Sequence, residues 1–315
     1  MKIKSILLLT SLSVLLGACQ SEETASGTPE ENAPAKESTS EAYTVTDDLD
    51  KEISFEQAPE TIVSLIPSNT EIVFALDEGD KLIGATDYDN YPEEAAAIER
   101  VSDSVAFNAE RIIEMKPDVV LAYSTGEAPP ELALLEDADI PVFVIESATS
   151  FEEVYGDIEQ IASVLAAEEK GEKLIKEIQT QIEDVQQKLA AVEDKKEVYF
   201  EISPSPEIFT TGKSTFQQEI LNHAQVENVF GDLEGWPKIS EEEVIVQNPE
   251  VILTTVSYVE DAIGDIKARE SWSEIEAIKD GDVYFVDSDI TSRPGPRIGE
   301  AVQLVAETVY PELME

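Results

Sequence analysis

The sequence predicts an α/β protein with two similar lobes, each with a parallel or mixed sheet, joined by a long rigid α-helix, with a ligand cleft between the lobes. The first observation is an internal repeat. Residues 110–121 and 242–253 share the first Glu, a central Pro, the acid that follows it and an apolar run. Each copy predicts a short helix that ends at the Pro and leads into a buried strand. Two copies are too few for a solenoid and favour two lobes, and a cleft between lobes is a common place to hold a small molecule.

The second observation is the alternation of strand and helix patterns over residues 44–150, which we assign to the N-terminal lobe. Ser68 is predicted to cap a helix at 70–76, with Glu71 at the third position after the cap. Such alternation is typical of a parallel or mixed sheet with covering helices. The predicted strands are residues 61–65, 81–85, 118–122 and 141–145.

The third observation is a helical region at residues 151–195, between the two halves. It opens with a capping-box pattern, Ser150 to Glu153. An ordinary surface helix would show the same pattern, but the position between the halves favours a rigid connector. After Gly171, apolar residues recur at helical spacing and form one stripe: Leu174, Ile178, Ile182, Val185 and Leu189.

Residues 196–315 repeat the order of the first half and are assigned to the C-terminal lobe. Strands are predicted at 198–202 and 282–286, on either side of the second repeat copy. Helices are predicted at 214–221 and 299–310.

The N-terminus predicts a secreted protein that is anchored by a lipid. Residues 1–18 combine a short basic start with an apolar stretch too short for a comfortable membrane span, as in a signal peptide. Residues 16–19 resemble the bacterial lipobox, which predicts lipidation, for example by palmitate, at Cys19. An ordinary secretory signal with an incidental Cys is the alternative. Residues 19–43 are acidic and rich in Ser, Thr, Ala and Pro, which predicts a disordered tether.

The formal charge of −47, from 68 acids against 21 Lys and Arg, disfavours some partners. Nucleic acids and anionic membrane surfaces are bound through Lys and Arg, so neither is expected. The acids are typical of a solvated surface that keeps the protein soluble, and an acidic patch with a specific partner is the alternative.

Past residue 43, the sequence resembles the substrate-binding lipoproteins of ABC importers that have a helical backbone between their lobes. That family takes up cobalamin, siderophores and haem, and the cobalamin-binding branch is the most similar. The resemblance is carried by five segments: residues 63–71, 84–92, 212–213, 236–237 and 293–297.

The resemblance implies a cobalamin site with six ligand-binding residues. A corrinoid is large and flat with a fringe of amides, so aromatic faces and a few polar groups suit it. Phe107 and Phe209 are equally consistent with core positions. Where the cobalamin binder has a Trp, this chain has Ser104, and Phe107 could substitute for that Trp. The implied residues are Tyr88, Phe107, Phe209, Trp236, Asp289 and Arg293.

The family also implies a partner. Glu110 and Glu242 occupy the same place in the two repeat copies, and family members dock on a permease dimer through such glutamates. The alternative is that each is simply a favourable acid in the first turn of its helix. The implied protein is a monomer on the extracellular face of the cell membrane, working with a permease and its ATPase.

Other functions stay open at this stage. Within the family, a ferric siderophore or haem could replace cobalamin as the bound ligand. A non-transport sensor or surface interaction lipoprotein would use the same fold. With a single histidine, His223, and one Cys, the usual metal and nucleophile arrangements are absent, so no enzyme activity, metal or cofactor is expected.

Overall fold

A computed structural model describes residues 42–102, 106–126 and 129–315. The predicted signal peptide, Cys19, all but the last two residues of the predicted tether, and Ser104 lie outside these residues. None of the helices in the described ranges is long and apolar enough to cross a membrane.

The described chain opens with an antiparallel hairpin of β1 (Tyr43–Thr46) and β2 (Glu52–Phe55), which the sequence analysis did not anticipate. The hydroxyl of Tyr43 donates a hydrogen bond to the carbonyl of Val164 at 2.7 Å. Phe55 is buried in the main core. The hairpin is therefore fixed to the connecting region.

The first sheet is parallel throughout, one of the two forms predicted, in the order β5-β4-β3-β6-β7. We call this sheet and its helices the N-terminal lobe. The strand β5 was not predicted, because only Val101 within it is buried. The elements are β3 (Ile62–Ser64), α1 (Pro67–Ala75), β4 (Leu82–Thr86), β5 (Glu99–Ser102), α2 (Ala109–Met115), β6 (Val119–Ser124), α3 (Leu132–Glu136) and β7 (Val142–Glu146).

The start of α1 corrects one prediction. Ser68 does not cap this helix, because the helix begins at Pro67, with Ile66 at the cap position and no side-chain cap. Pro suits the first helical position because its φ is already close to the helical value and its missing N–H would have no partner within the helix. Ser68 and Glu71 are instead buried within the helix.

The connecting region consists of two helices, α4 (Phe151–Val164) and α5 (Glu168–Lys188). The predicted capping box at the start of α4 is confirmed: the hydroxyl of Ser150 accepts from the Glu153 N–H at 3.2 Å, and the Glu153 carboxylate accepts from the Ser150 N–H at 3.1 Å. A Cβ on Gly171 would lie 2.7 Å from that of Ala162, so glycine lets the two helices approach.

The second sheet is mixed, with parallel strands in the order β10-β8-β11-β12 and β9 antiparallel to β8. We call it, with its helices, the C-terminal lobe. Its elements are β8 (Glu197–Ser203), β9 (Phe209–Thr210), α6 (Phe216–His223), β10 (Glu227–Asn228), α7 (Glu241–Gln247), β11 (Val251–Thr254), α8 (Ala262–Lys267), α9 (Glu276–Asp280), β12 (Val283–Phe285), α10 (Ser288–Thr291), α11 (Ile298–Val309) and α12 (Pro311–Met314).

The two repeat copies fold alike. Their helices, α2 and α7, begin on side-chain caps from Asn108 and Ser240. They end on residues in the left-handed region, Lys116 with φ 51° and Asn248 with φ 47°. The Pro follows, and each copy then enters a largely buried strand, as predicted.

In each repeat copy, the acid after the Pro accepts hydrogen bonds from the backbone at the start of a neighbouring strand. Asp118 accepts hydrogen bonds from the N–H groups of Glu60 and Thr61, both at 2.9 Å, just before β3. Glu250 accepts from the N–H of Glu197, the first residue of β8, also at 2.9 Å.

The cores follow from the alternation of side chains along the strands. In β6, Val119 and Leu121 face the main core, whereas Val120 faces a separate cluster on the outer side of its sheet. In β11, Leu253 faces the main core and Ile252 the outer cluster of the second sheet. The main core also contains α4, α5 and α11, so the inner faces of both sheets share one apolar core.

Candidate ligand-binding site

Two arginines from the C-terminal lobe converge on one buried carboxylate of the N-terminal lobe. The Glu71 side chain, on α1, is only 1% exposed. Arg297 donates to its two carboxylate oxygens from Nε at 2.8 Å and from Nη2 at 2.6 Å, and Arg293 donates from Nη1 at 3.1 Å. Burial alone would lower the pKa of Arg297, but the hydrogen bonds and charge of Glu71 outweigh it and raise that pKa. This ion network holds the two lobes together.

The predicted Asp289 and Arg293 meet in the same network. Arg293 Nη2 donates to Asp289 Oδ1 at 2.8 Å and to the carbonyl oxygen of Tyr88 at 3.0 Å. Arg293 Nη1 also donates to Asn90 Oδ1 at 2.8 Å, and Asn90 Nδ2 donates to Asp289 Oδ2 at 2.6 Å. The pair therefore forms a contact between lobes, and a direct contact with ligand stays a prediction.

The predicted aromatic residues of the N-terminal lobe share one cavity of about 300 Å³. Tyr88, in the loop after β4, and Phe107, before α2, both line it. Tyr123, at the carboxyl end of β6, lines it as well, although the sequence analysis did not select it. Tyr88 is 54% exposed, whereas Phe107 is half-buried and also packs on the outer core cluster.

The predicted aromatic residues of the C-terminal lobe lie on adjacent segments. Trp236 is 49% exposed, and its Nε1 donates to Gln217 Oε1 at 3.1 Å. Phe209 lies half-buried in β9, whose next residue, Thr210, donates its N–H to the carbonyl of Pro237 at 3.2 Å.

A series of hydrogen bonds links Trp236 and the backbone of Tyr88 to neighbouring residues of one segment, Ser292 and Arg293. Gln217, which holds the Trp236 indole, donates from Nε2 to Ser292 Oγ at 3.4 Å. The next residue, Arg293, is bound to the carbonyl of Tyr88. Each lobe therefore has one exposed aromatic residue that is connected to this segment, Tyr88 through its backbone and Trp236 through Gln217.

The sequence analysis missed Glu71, Arg297, Gln217 and Tyr123 as site residues. Glu71 is the one charged residue in α1 and is buried, which is a signal of pairing. Tyr123 is the one aromatic residue in β6, near its carboxyl end. Glu71 and Arg297 lie within segments that carried the family resemblance, but no local pattern joins residues so far apart in sequence.

All five arginines of the chain are bound to protein acceptors. Arg293 and Arg297 are held in the ion network. Arg269 is paired with the buried Glu201, Arg111 with exposed glutamates, and Arg100 with a backbone carbonyl. The site therefore offers aromatic surface and amides, and its cations are already neutralised.

His223 does not face this site. Its ring stacks on Phe151 at 4.8 Å between centroids, and its Nδ1 lies 2.8 Å from the side-chain amide of Gln186. Burial lowers the pKa of His223 below its ordinary value. Within the described ranges, no group of three or more His, Cys, Asp or Glu is placed to hold a metal ion.

Glu110 and Glu242 are each the second residue of their helix, α2 and α7, and both are exposed. Each helix packs against the outer cluster of its own sheet, through Ile112 and Val244 respectively. The two glutamates thus occupy equivalent places on the two lobes, and their docking role stays a prediction.

Comparison with known proteins gives one family over most of the chain. Residues 62–290 match the family model described as "Periplasmic binding protein". This range contains both sheets and five of the six predicted ligand-binding residues; only Arg293 lies beyond it.

Three similar proteins illustrate the match. An uncharacterized ABC transporter substrate-binding lipoprotein of Bacillus subtilis is 40% identical over 273 residues, covering 85% of this chain and 86% of the relative. A possible iron-binding, periplasmic solute-binding protein of Staphylococcus epidermidis superposes with a TM-score of 0.74 at 32% identity, over 81% of this chain and 100% of that structure. The periplasmic vitamin B12 binding protein BtuF of Vibrio cholerae superposes with a TM-score of 0.67 at 30% identity, over 80% and 97%.

Proposed function

The chain belongs to the periplasmic binding protein family, and from this premise we propose that it is the substrate-binding lipoprotein of an ABC importer that captures cobalamin. The observation that carries the choice of ligand is the contrast between exposed aromatic side chains and neutralised cations at the candidate site. Tyr88 and Trp236 are about half exposed, while Arg293 and Arg297 are bound to Glu71 and Asp289.

The chemistry of a corrinoid fits this arrangement. Its flat, apolar faces can stack on aromatic rings, and its amide fringe can exchange hydrogen bonds with polar groups such as Asn90 and Asp289. Since a corrinoid has little net charge, it does not require free cations. The similarity to the vitamin B12 binding protein of Vibrio cholerae supports the same choice.

A ferric siderophore or haem is the second candidate, favoured by the similarity to the possible iron-binding protein of Staphylococcus epidermidis. An anionic ligand of either kind needs convergent cations. To bind it, Arg293 or Arg297 would have to leave Glu71, which would strand a buried carboxylate. This cost disfavours the anionic ligands relative to cobalamin.

The test is titration of the purified protein with cobalamin, haem and a ferric hydroxamate, followed by visible absorption and calorimetry. We expect saturable binding of cobalamin with one site per chain. Trp236→Ala should weaken it about tenfold or more, because stacking worth about 1–3 kcal/mol is lost, whereas Trp236→Phe keeps an aromatic face and should retain most of the affinity. Saturable heat with the hydroxamate and none with cobalamin would transfer the assignment to the second candidate.

The docking surface is proposed to include Glu110 and Glu242, one on each lobe. A permease dimer presents a pair of equivalent surfaces, which two equivalent glutamates can match. The double variant Glu110→Lys with Glu242→Lys should keep its ligand affinity and melting temperature but lose uptake with the cognate transporter. Glu172→Lys with Glu183→Lys, two exposed acids on α5, gives the same charge change as a control. Wild-type uptake by the first double variant would refute the docking role.

The proposed location is the extracytoplasmic face of the cell membrane, with a lipid on Cys19. Cys19→Ser should release the protein into the medium or leave it unprocessed. A variant that stays in the membrane at the same mature mass would show that the anchor lies elsewhere.

A further inference from the structure

A second cavity, of about 360 Å³, lies between the hairpin turn, the loop after β7 and helix α4. Four carboxylates line it, and no Lys, Arg or His does: Asp48, Glu146, Glu153 and Asp157. None of its lining residues belongs to the ion network or to the 300 Å³ cavity described above, and all of them lie in the described ranges.

Two side chains in this cavity, Asp157 and Gln160, have oxygens without a hydrogen-bond donor among the described residues. Asp157 is only 7% exposed, and its carboxyl group has no partner there. Gln160 lies one turn further along α4; its Nε2 donates to Asp48 Oδ1 at 2.6 Å, which leaves its Oε1 buried and unpaired. Buried acceptors without donors cost free energy, so the pair favours a ligand that brings N–H or O–H groups.

The charge of the cavity favours a cation. Burial, and then the negative charges of Asp48 and Glu153, raise the pKa of Asp157 to about 8. These acids face Asp157 from the hairpin turn and from its own helix, while Glu146 lines the cavity from the end of β7. A bound cation would stabilise the ionised carboxylate and offset the repulsion.

The lining also restricts the kind of cation. No described cluster of acids is arranged to hold a metal ion. No aromatic side chain lines the cavity, so a quaternary ammonium group would lack the rings that usually surround it. The volume is much larger than a single ion needs and accommodates a short chain of atoms.

We propose that this cavity binds a small organic cation with primary ammonium groups. One ammonium group donates to Asp157 and to Gln160 Oε1, and the remaining carboxylates stabilise the other end of the molecule. Primary ammonium groups supply both features that the cavity lacks, namely positive charge and several N–H donors.

The experiment is calorimetric titration of the full protein with 1,4-diaminobutane at pH about 9, where Asp157 is largely ionised and primary amines, with pKa values near ~10.4, remain protonated. We expect saturable binding, which Asp157→Asn weakens by about tenfold or more because it removes the charge. Glu152→Gln, an exposed acid on the same helix that does not line the cavity, removes the same charge and should leave the affinity unchanged. Thermal melts of each variant confirm that it is folded.

Two further measurements separate this site from general attraction to an acidic protein. Tetramethylammonium, which has no N–H donor, should fail to compete with the diamine. At pH about 6, where Asp157 is protonated, the wild-type affinity should fall towards that of Asp157→Asn. Three results would each overturn the proposal. The first is equal diamine affinity of wild type and Asp157→Asn at pH 9, and the second is an equal loss of affinity in Asp157→Asn and Glu152→Gln. The third is the absence of saturable binding.

Discussion

The internal repeat gives each lobe the same succession of helix, proline and strand. The side chains that form hydrogen bonds with this backbone differ between the two lobes. In the N-terminal copy, the left-handed end of α2 is Lys116, and Asp118 accepts from two backbone N–H groups and from the hydroxyl of Thr61. In the C-terminal copy, the corresponding end is Asn248, whose side chain accepts from the N–H of Glu276 at 3.0 Å. The repeat therefore specifies a backbone path, and each lobe stabilises that path with its own hydrogen bonds.

The lobes also use buried ion pairs for different purposes. Glu71 of the N-terminal lobe is neutralised by arginines of the C-terminal lobe. Glu201 is neutralised within its own lobe by Arg269, at 2.7 and 3.0 Å. One pair joins the lobes, whereas the other builds a single lobe.

Removing the carboxylates of Glu71 and Glu201 should have the largest effect on the free energy of unfolding. Glu71→Ala and Glu201→Ala should each lower the free energy of unfolding by about 3–5 kcal/mol, because each leaves a buried arginine without its counter-charge. Only Glu71→Ala should also weaken ligand binding, since Arg293 positions the loop that carries Tyr88. Chemical denaturation and ligand titration measure both effects.

Glu114→Ala, which removes an exposed partner of Arg111, is the matched control and should cost less than about 1 kcal/mol. Equal losses of ligand affinity in Glu71→Ala and Glu201→Ala would show that the two pairs do not differ as described.

Removing the acids that follow the two prolines should have intermediate effects on the free energy of unfolding. Asp118→Ala should destabilise the protein by about 1–2 kcal/mol, because it removes three hydrogen bonds to a carboxylate at the protein surface, and Glu250→Ala by about 1 kcal/mol. Burial tends to raise the pKa of Asp118, but its hydrogen bonds outweigh burial and lower it below the ordinary 3.8. The stabilisation is therefore present above pH about 4 and is lost as the pH falls through the lowered pKa.

Chemical denaturation at several pH values tests this pH dependence. The difference between wild type and Asp118→Ala should shrink as the pH falls below about 4. A difference that does not change with pH would mean that the carboxylate is not what secures the strand.

The smallest effects should have opposite signs in the two copies. Lys116→Gly should stabilise the protein by about 0.5–1 kcal/mol, because glycine adopts the left-handed region without strain. Asn248→Gly should destabilise it by about 0.5–1.5 kcal/mol, because Asn tolerates this region and the hydrogen bond to Glu276 is lost. Thermal unfolding distinguishes them, and equal signs would contradict the assigned role of the Asn248 side chain.

Local patterns were sufficient to predict much of the fold. The capping box at Ser150 and the apolar stripe of α5 each depend on residues within a few positions of one another, where helix geometry is the main constraint. The β1–β2 hairpin was missed because its two short strands carry few buried residues. The cap at Ser68 was wrong because Pro67 was not considered as the first helical residue.

The candidate site was predictable only in part. Tyr88 and Trp236 followed from the family resemblance. In the structure, Tyr88 contacts the ion network through its backbone carbonyl, and Trp236 is linked to the neighbouring Ser292 through Gln217. Their contact with ligand stays a prediction. The pairing of Glu71 with Arg297 spans 226 positions, and no periodicity relates such distant residues. Asp157 escaped notice because its carboxyl group lies on a helix whose sequence is already rich in acids.

The apolar core that both sheets share has a consequence for cooperativity. The inner faces of β6 and β11 belong to one apolar cluster, which also contains residues of α4, α5 and α11, so loss of this core would expose apolar residues of both sheets. The slowest-exchanging amide hydrogens should therefore come from both lobes and exchange in a single global opening. A fragment cut before α4 would leave Leu121 and Phe143 facing water, and such a fragment is expected to aggregate rather than fold alone.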